Sequence, residues 1–396
     1  MGIGPVLLLA TLAPGQPERP TYEAVSPAGA RHVGRLVRLA DGNAELATTD
    51  GAVTVADVVS LRRVGLPRPA FPRGPGLLTT TDDRVPGRLV GGWADALRFQ
   101  AAGIEEPWTV PLPAVAVACL GVQPAGTPPD PARMTWLGPT RKRDVLRLRN
   151  GDTAAGTVVG FAADGDAVTF KPDAGEERAV PLATVGAVAF NPALASARRP
   201  KGAYTLAVLR DGSRLHLVGA TADATTLRGK TLFGPAVELP LSRVVALDTL
   251  RGKATELSAL RPKAEQGGFL GVTWPWAADR TVRGEPLSLL TASGVETFDR
   301  GLGTHPRTVL TYELGGKYRR FESLVGLDPV TGRRGKAVVR VAVDGKDVVT
   351  VELVPGPAVL LRQELTGARQ LALTVESGPA GDVQADVNWA DARLVE

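Results

Sequence analysis

Val180-Pro181-Leu182-Ala183-Thr184-Val185 decides how the larger part of this chain reads, because the chain repeats it. Val110-Pro111-Leu112-Pro113-Ala114-Val115 and Leu239-Pro240-Leu241-Ser242-Arg243-Val244 keep the same order of apolar residue, proline, leucine and closing valine. Val53-Thr54-Val55-Ala56-Asp57-Val58 is a looser copy. A short apolar run follows each: Val59 to Arg62, Ala116 to Leu120, Gly186 to Phe190 and Val245 to Thr249. Upstream, Asn150-Gly151 and Asp211-Gly212 are tight hairpin-turn dipeptides, and Gly34-Arg35-Leu36-Val37, Gly87-Arg88-Leu89-Val90 and Gly156-Thr157-Val158-Val159 open strands. Within a copy, Val145-Leu146-Arg147-Leu148-Arg149 and Ala167-Val168-Thr169-Phe170-Lys171 alternate with the period of two of a half-buried strand.

Each copy is therefore a β-meander, too small to bury much surface alone, expected to close into a small SH3-like or Sm-like barrel or to stack on a neighbour. The four β-repeats are expected at 21–66, 76–122, 144–191 and 203–250. Proline-bearing connections divide them: Leu66-Pro67-Arg68-Pro69-Ala70-Phe71-Pro72-Arg73, a Pro-rich linker over 123–143, and Asn191 to Gly202.

Composition agrees with β structure. The 396 residues are 44% hydrophobic and 22% charged, which is globular material, and 46 glycines with 32 prolines, lacking any period, call for many turns. A formal net charge of +5 is modest, and the basic runs Arg141-Lys142-Arg143 and Arg198-Arg199-Pro200-Lys201 fall in connections. Few aromatics lie in the repeats, so nucleic acid is not an expected partner. The single cysteine, Cys119, excludes an internal disulfide framework and multi-cysteine metal sites, and its apolar surroundings read as packing. Val6 to Ala13, before Pro14-Gly15-Gln16-Pro17, has the apolar core and small-residue end of a secretory signal within residues 1–20, without a basic n-region. The expected location is extracellular, periplasmic or at the cell surface. No other apolar run approaches the roughly 18 residues of a membrane span.

Catalysis has little to stand on. His32, His216 and His305 fall in separate units, and no Gly-x-Ser-x-Gly elbow, P-loop or His-x-x-x-His pair occurs. The acids of Asp41-Gly42, Asp50-Gly51, Asp164-Gly165 and Asp344-Gly345 are explained by turns. A non-enzyme is expected.

Beyond residue 250 the pattern changes. Residues 251–268 read as a linker with a short helix at Glu256-Leu257-Ser258-Ala259-Leu260, then a hinge at Gly267-Gly268. A new domain is expected over 269–396, with strands at Leu287 to Thr291, Val309 to Leu314, Phe321 to Leu327, Ala337 to Val343, Val348 to Leu353 and Leu371 to Glu376. Asp344-Gly345-Lys346 is a hairpin turn. Six or more antiparallel strands describe a sandwich or jelly roll.

Four stretches of this region carry a resemblance: Gly301-Leu302-Gly303-Thr304-His305, Tyr312 to Phe321 with Gly315-Gly316-Lys317-Tyr318 at its centre, Val343-Asp344-Gly345-Lys346, and Asn388-Trp389-Ala390-Asp391-Ala392-Arg393-Leu394. In order and spacing, 269–396 resembles the NPCBM family of carbohydrate-binding modules, with a galactose-binding-like jelly-roll fold. The resemblance implies glycan or glycoconjugate binding at loops on one end of the sandwich, and a structural calcium, here near Asp386 and Asp391. The family's terminal motif usually has an acid where this chain has Asn388. Candidate sugar contacts are Trp274, Trp276, Thr304, His305, Arg307, Trp389 and Asp391, because sugars take an aromatic face together with a few fixed hydrogen-bonding groups. Arg393 could add to them. Trp389, inside an alternating strand, reads as core as readily as contact, Asp391 and Arg393 as a structural pair, and His305 as satisfying a backbone group.

The whole reads as all-β: four small β-repeats followed by a galactose-binding-like jelly roll. The expected function is that of an exported, non-catalytic glycan-binding protein. The alternative is a surface-assembly scaffold whose jelly roll no longer binds sugar and whose β-repeats contact protein partners.

Overall fold

The computed structural model describes residues 20–121, 128–138, 141–268, 273–332, 334–379 and 381–396. The signal-like stretch Val6 to Ala13 and the expected domain start at Phe269 lie outside them. The described chain is all-β, its helices being single 3-10 turns. Among the described residues no helix is long and apolar enough to cross a membrane.

Residues 21–250 form four five-stranded meanders. The first runs Thr21–Val25, Arg31–Ala40, Asn43–Thr48, Gly51–Val55 and Ser60–Arg63. The second runs Gly76–Thr79, Arg84–Gly92, Ala96–Ala101, Trp108–Pro111 and Val115–Cys119. The third runs Asp144–Leu148, Thr153–Phe161, Ala167–Pro172, Arg178–Pro181 and Val185–Ala189. The fourth runs Tyr204–Leu209, Arg214–Ala222, Thr226–Thr231, Ala236–Pro240 and Val244–Leu250. In every one the fifth strand returns to pair antiparallel with the first.

The repeated Val-Pro-Leu closing explains the return. Pro111, Pro181 and Pro240 end the fourth strand at φ −58°, −59° and −57°, near the value the ring imposes, and cap a 3-10 turn that starts at Leu112, Leu182 and Leu241. The first meander lacks that proline and turns at Asp57, whose φ of 48° is one that aspartate tolerates. The long second strand bends at the same place in each copy, where its register with the third shifts: Leu36/Arg38, Leu89/Gly91, Val158/Gly160 and Val218/Thr221. A β-bulge bends a strand and increases its twist, which lets five short strands curl around a core.

The meanders associate through their fifth strands. Val117–Cys119 pairs with Ala187–Ala189, joining the second to the third, and Ala246–Asp248 pairs with Ser60–Arg62, joining the fourth to the first. Tyr22 of the first is fully buried, and its hydroxyl shares its one proton between the Leu241 and Val244 carbonyls of the fourth, each 3.1 Å away, so its polar end is satisfied. Cys119 is 2% exposed in an apolar cluster, where burial pushes its thiol up to about 12 and keeps it protonated.

The C-terminal unit is a two-sheet sandwich. One sheet is ordered Lys263–Gln266, Thr308–Glu313, Gln370–Ser377, Ala337–Val343, Lys346–Leu353. The other is ordered Ala277–Ala278, Gly301–Thr304, Val387–Val395, Arg320–Leu327, Val359–Glu364, with Ala254–Glu256 added to the end of Val387–Val395. Trp389, Phe321, Tyr312 and Leu302 fill the space between.

Two connections differ from the sequence expectation. The short helix expected at Glu256 to Leu260 is present as a 3-10 turn, Leu257–Ala259, but 251–268 is not a linker: Ala254–Glu256 and Lys263–Gln266 are strands of the sandwich, one in each sheet, because each supplies its neighbour with backbone hydrogen bonds that an edge lacks. The segment around Arg68, expected as a proline-bearing connection between the first two repeats, is threaded between the fourth meander and the sandwich. Arg68 is 2% exposed; it pairs with Asp248 of the fourth meander and, at 3.4 Å, with Asp299 of the sandwich. Asp299 also accepts from Arg214 Nε at 2.9 Å, and Arg62 pairs with Asp391.

Candidate functional site

At one end of the sandwich, five connections bring aromatic, cationic and acidic side chains together. The strand Gly301–Thr304 leads there, and its glycines are required by close approach. A Cβ on Gly301, at φ 143°, would lie 2.2 Å from the Trp389 carbonyl oxygen, and one on Gly303 would lie 2.3 Å from that of Arg280. The chain then leaves the sheet at His305. Arg307, at φ 67°, is held on both sides, its N–H donating to the Val375 carbonyl at 2.7 Å and its carbonyl accepting from Gly267 N–H at 2.8 Å.

The turn places His305 Nδ1 2.7 Å from Asp386 Oδ1. Asp386 Oδ2 accepts from Arg283 Nε at 2.9 Å and Thr331 Oγ1 at 3.2 Å. The Arg283 guanidinium stands 5.0 Å from the centre of the Trp274 ring, and the Trp274 and His305 rings are 5.8 Å apart at 42°. Burial raises the Asp386 carboxyl, but the hydrogen bonds from His305 and Arg283 together with the Arg283 charge outweigh it and hold the group below its ordinary value. An ionised Asp386 requires the proton of a neutral His305 on Nδ1, leaving Nε2 as a hydrogen-bond acceptor. Beside this cluster Arg307 Nε lies 3.4 Å from Asp382 Oδ2. Val330 and Val383, 71% and 72% exposed, sit on the loops that carry Thr331 and Asp386.

The seven residues proposed from sequence divide. Trp274, His305 and Arg307 come to these loops. Trp276 packs against the sandwich core instead. Trp389 is fully buried, its Nε1 donating to Thr304 Oγ1 at 3.1 Å, and Thr304 in turn donates to the Val387 carbonyl at 3.0 Å; both are interior. Trp389 alternates inward on a central strand, which decides between its two sequence readings. Asp391 leaves the loops altogether and pairs with Arg62 of the first meander. Arg393 pairs with Glu322, 3.0 Å away. Asp386 and Asp391, named with the expected calcium, stand apart, each carboxylate matched by its own arginine. Among the described residues no group of three or more His, Cys, Asp or Glu side chains is placed to hold a metal ion. Arg283 and Thr331 were not legible, because they stand in loops with no motif.

Residues 253–395 match the model of the NPCBM/NEW2 domain. The C-terminal sandwich is an NPCBM domain. It begins at the strand Ala254–Glu256, ahead of the Phe269 expected from sequence. Over 114 residues, 28% of this chain, the chain is 30% identical to the "Putative endo-alpha-N-acetylgalactosaminidase" of Renibacterium salmoninarum, of which that stretch spans 7%. Two solved structures are similar to this NPCBM-bearing chain. One is CBM51 from Clostridium perfringens GH95 in complex with methyl-galactose, at 23% identity, covering 36% of this chain and 99% of that one, with a TM-score of 0.33. The other is CBM51-2 with the INT domains of Clostridium perfringens ZmpB in complex with GlcNAc, at 24% identity, 46% and 38% coverage and a TM-score of 0.34.

Proposed function

We propose that the protein is an exported, non-catalytic glycan-binding protein whose NPCBM domain takes its ligand at the His305 loops, with the four meanders as a scaffold. The observation that carries this reading is the convergence of Trp274, His305, Arg283 and Asp386 on one end of a domain of a carbohydrate-binding family. An indole beside a histidine acceptor and guanidinium donors is the mixture that a polyhydroxylated ring with C–H faces requires. Asp386, held ionised by the Arg283 cation and the His305 N–H, suits an acceptor that orients His305, not a general acid, which needs a raised value. Export is supported by the apolar stretch Val6 to Ala13.

The test is a glycan array probed with the full chain, including glycans that end in galactose, GlcNAc and N-acetylgalactosamine. Retention is expected, and Trp274→Ala and His305→Ala should each weaken it at least about tenfold, the effect of losing roughly 1.4 kcal/mol. Equal retention by both variants, or no retention of any glycan, would overturn the reading. A second reading, a protein-docking surface on the same loops, is favoured by the exposure of Val330 and Val383. It predicts that Val330→Asp with Val383→Asp abolishes partner capture and leaves the array pattern unchanged.

A further inference from the structure

A cavity of about 480 Å³ lies away from the loops, where the first and fourth meanders meet the NPCBM domain. One wall is the strand carrying Ser60 and Arg62, with Arg68 behind it. The opposite wall is the Thr291–Ser293 turn and the strands carrying Glu322 and Asp391. Asp391, which sequence alone assigned to sugar contact, faces this space.

Two deeply buried atoms of residues lining the cavity lack hydrogen-bond partners, although the Arg68 guanidinium is otherwise paired with Asp248 and Asp299. Ser60 is 1% exposed with no hydrogen bond to Oγ, and Arg68 is 2% exposed with none to Nε. A buried donor left unmade costs about 1–3 kcal/mol, more when charged, so these atoms point to something that accepts from them. Charge says what kind of group. Five arginines and four carboxylates line the cavity, so positive and negative groups nearly balance. Much of that charge is already paired within the protein, Arg62 with Asp391 and Arg393 with Glu322. A strongly anionic ligand would meet those carboxylates, and an apolar one would leave the donors unmade. Hydroxyl groups, which donate and accept, satisfy interleaved arginines and acids together, while Leu66, Leu324 and Leu360 offer contact to C–H faces.

We propose that this junction cavity is a second glycan site, taking a neutral mono- or disaccharide unit between the NPCBM domain and the repeats. The volume falls within the range of small-ligand pockets. No aromatic ring lines it, so its affinity is weaker than that of the loop site. It uses none of the loop residues and stands whether or not the loops bind sugar.

The test uses the full chain carrying Trp274→Ala and His305→Ala, which removes the loop contacts, with lactose as the probe and saturation-transfer NMR as the readout. Lactose signal should persist in that background. Ala292→Trp, at the exposed mouth of the cavity, should abolish it, and Ser60→Ala should weaken it about fivefold, the loss of one neutral hydrogen bond. Thermal melts of each variant separate blocked binding from misfolding. Signal lost on removing the loop contacts alone, signal indifferent to Ala292→Trp, or no lactose response in any form would each overturn the proposal, the last meaning that only water fills the cavity. Signal lost on removing the loop contacts would sink this proposal while supporting the loop site, and signal that persists without them leaves the loop site to the difference in array retention between the wild type and its Trp274→Ala and His305→Ala variants.

Discussion

Asp386 is the side chain on which the loop site depends, since it fixes the tautomer of His305 and the position of Arg283 together. Its carboxyl stays below the usual range, so its contribution is present above the unfolded value of about 4 and is lost only as pH falls through the lower folded value. The hydrogen bonds of Asp386 with Arg283 and His305 should therefore hold down to about pH 4 and fail below it, as read by comparing denaturation midpoints of the wild type and Asp386→Asn across pH. Asp386→Asn should cost about tenfold or more in affinity, because it frees the histidine tautomer and leaves Arg283 without its counter-charge. Trp389 gives the contrasting expectation: Trp389→Ala should cost about 3–5 kcal/mol in denaturant unfolding, as a fully buried indole removed from a core does. The sequence carried the rare residues His305, Trp274 and Trp389 equally well. It did not distinguish them, because inward and outward positions on a strand differ by a single residue of register.

Among elements, the meanders were the most legible part of the chain. A proline fixed at the φ of a strand end, a leucine opening a 3-10 turn and a valine restarting the strand are local chemistry, so three of the four closings could be read without tertiary knowledge. The bulges were hidden because Leu36/Arg38 and Gly91 look alike only once strands two and three are aligned. The strand Gly301–Thr304 was hidden for a related reason: its two glycines carry no strand propensity and are there to permit close contact with the backbone of Trp389 and Arg280. Gly301→Ala should destabilise the NPCBM domain by more than about 1 kcal/mol, since both its φ and its space forbid a Cβ, and this can be measured by chemical denaturation. The strands Ala254–Glu256 and Lys263–Gln266 were missed because each is short and completes a sheet built by distant residues.

Over the whole molecule, the sequence division into repeats and sandwich hides how the two are joined. Arg68 stands in a proline-rich connection, yet it faces Asp248 and Asp299 from two different units, and such contacts leave no local pattern. Arg68→Met should destabilise the full chain by about 3–5 kcal/mol, because it strands buried carboxylates, and Asp248→Asn added to it should return part of the loss in a double-mutant cycle. Glu256, at the seam, adds a pH dependence: burial pushes its carboxyl up to about 8, with Arg393 only partly opposing and Asp391 adding to the rise. The folded state then holds a proton that the unfolded state releases, so stability should fall as pH rises from about 4.5 to about 8, and Glu256→Gln should flatten that slope in denaturation midpoints. The fifth-strand pairing has a consequence of another kind. Each fifth strand is consumed by one other fifth strand, second with third and fourth with first, so the units combine by twos. An added fifth copy would arrive with an unmatched edge, exposed and prone to aggregation. Growth of this array is thus governed by parity: it can lengthen by duplication of a pair, but not one unit at a time.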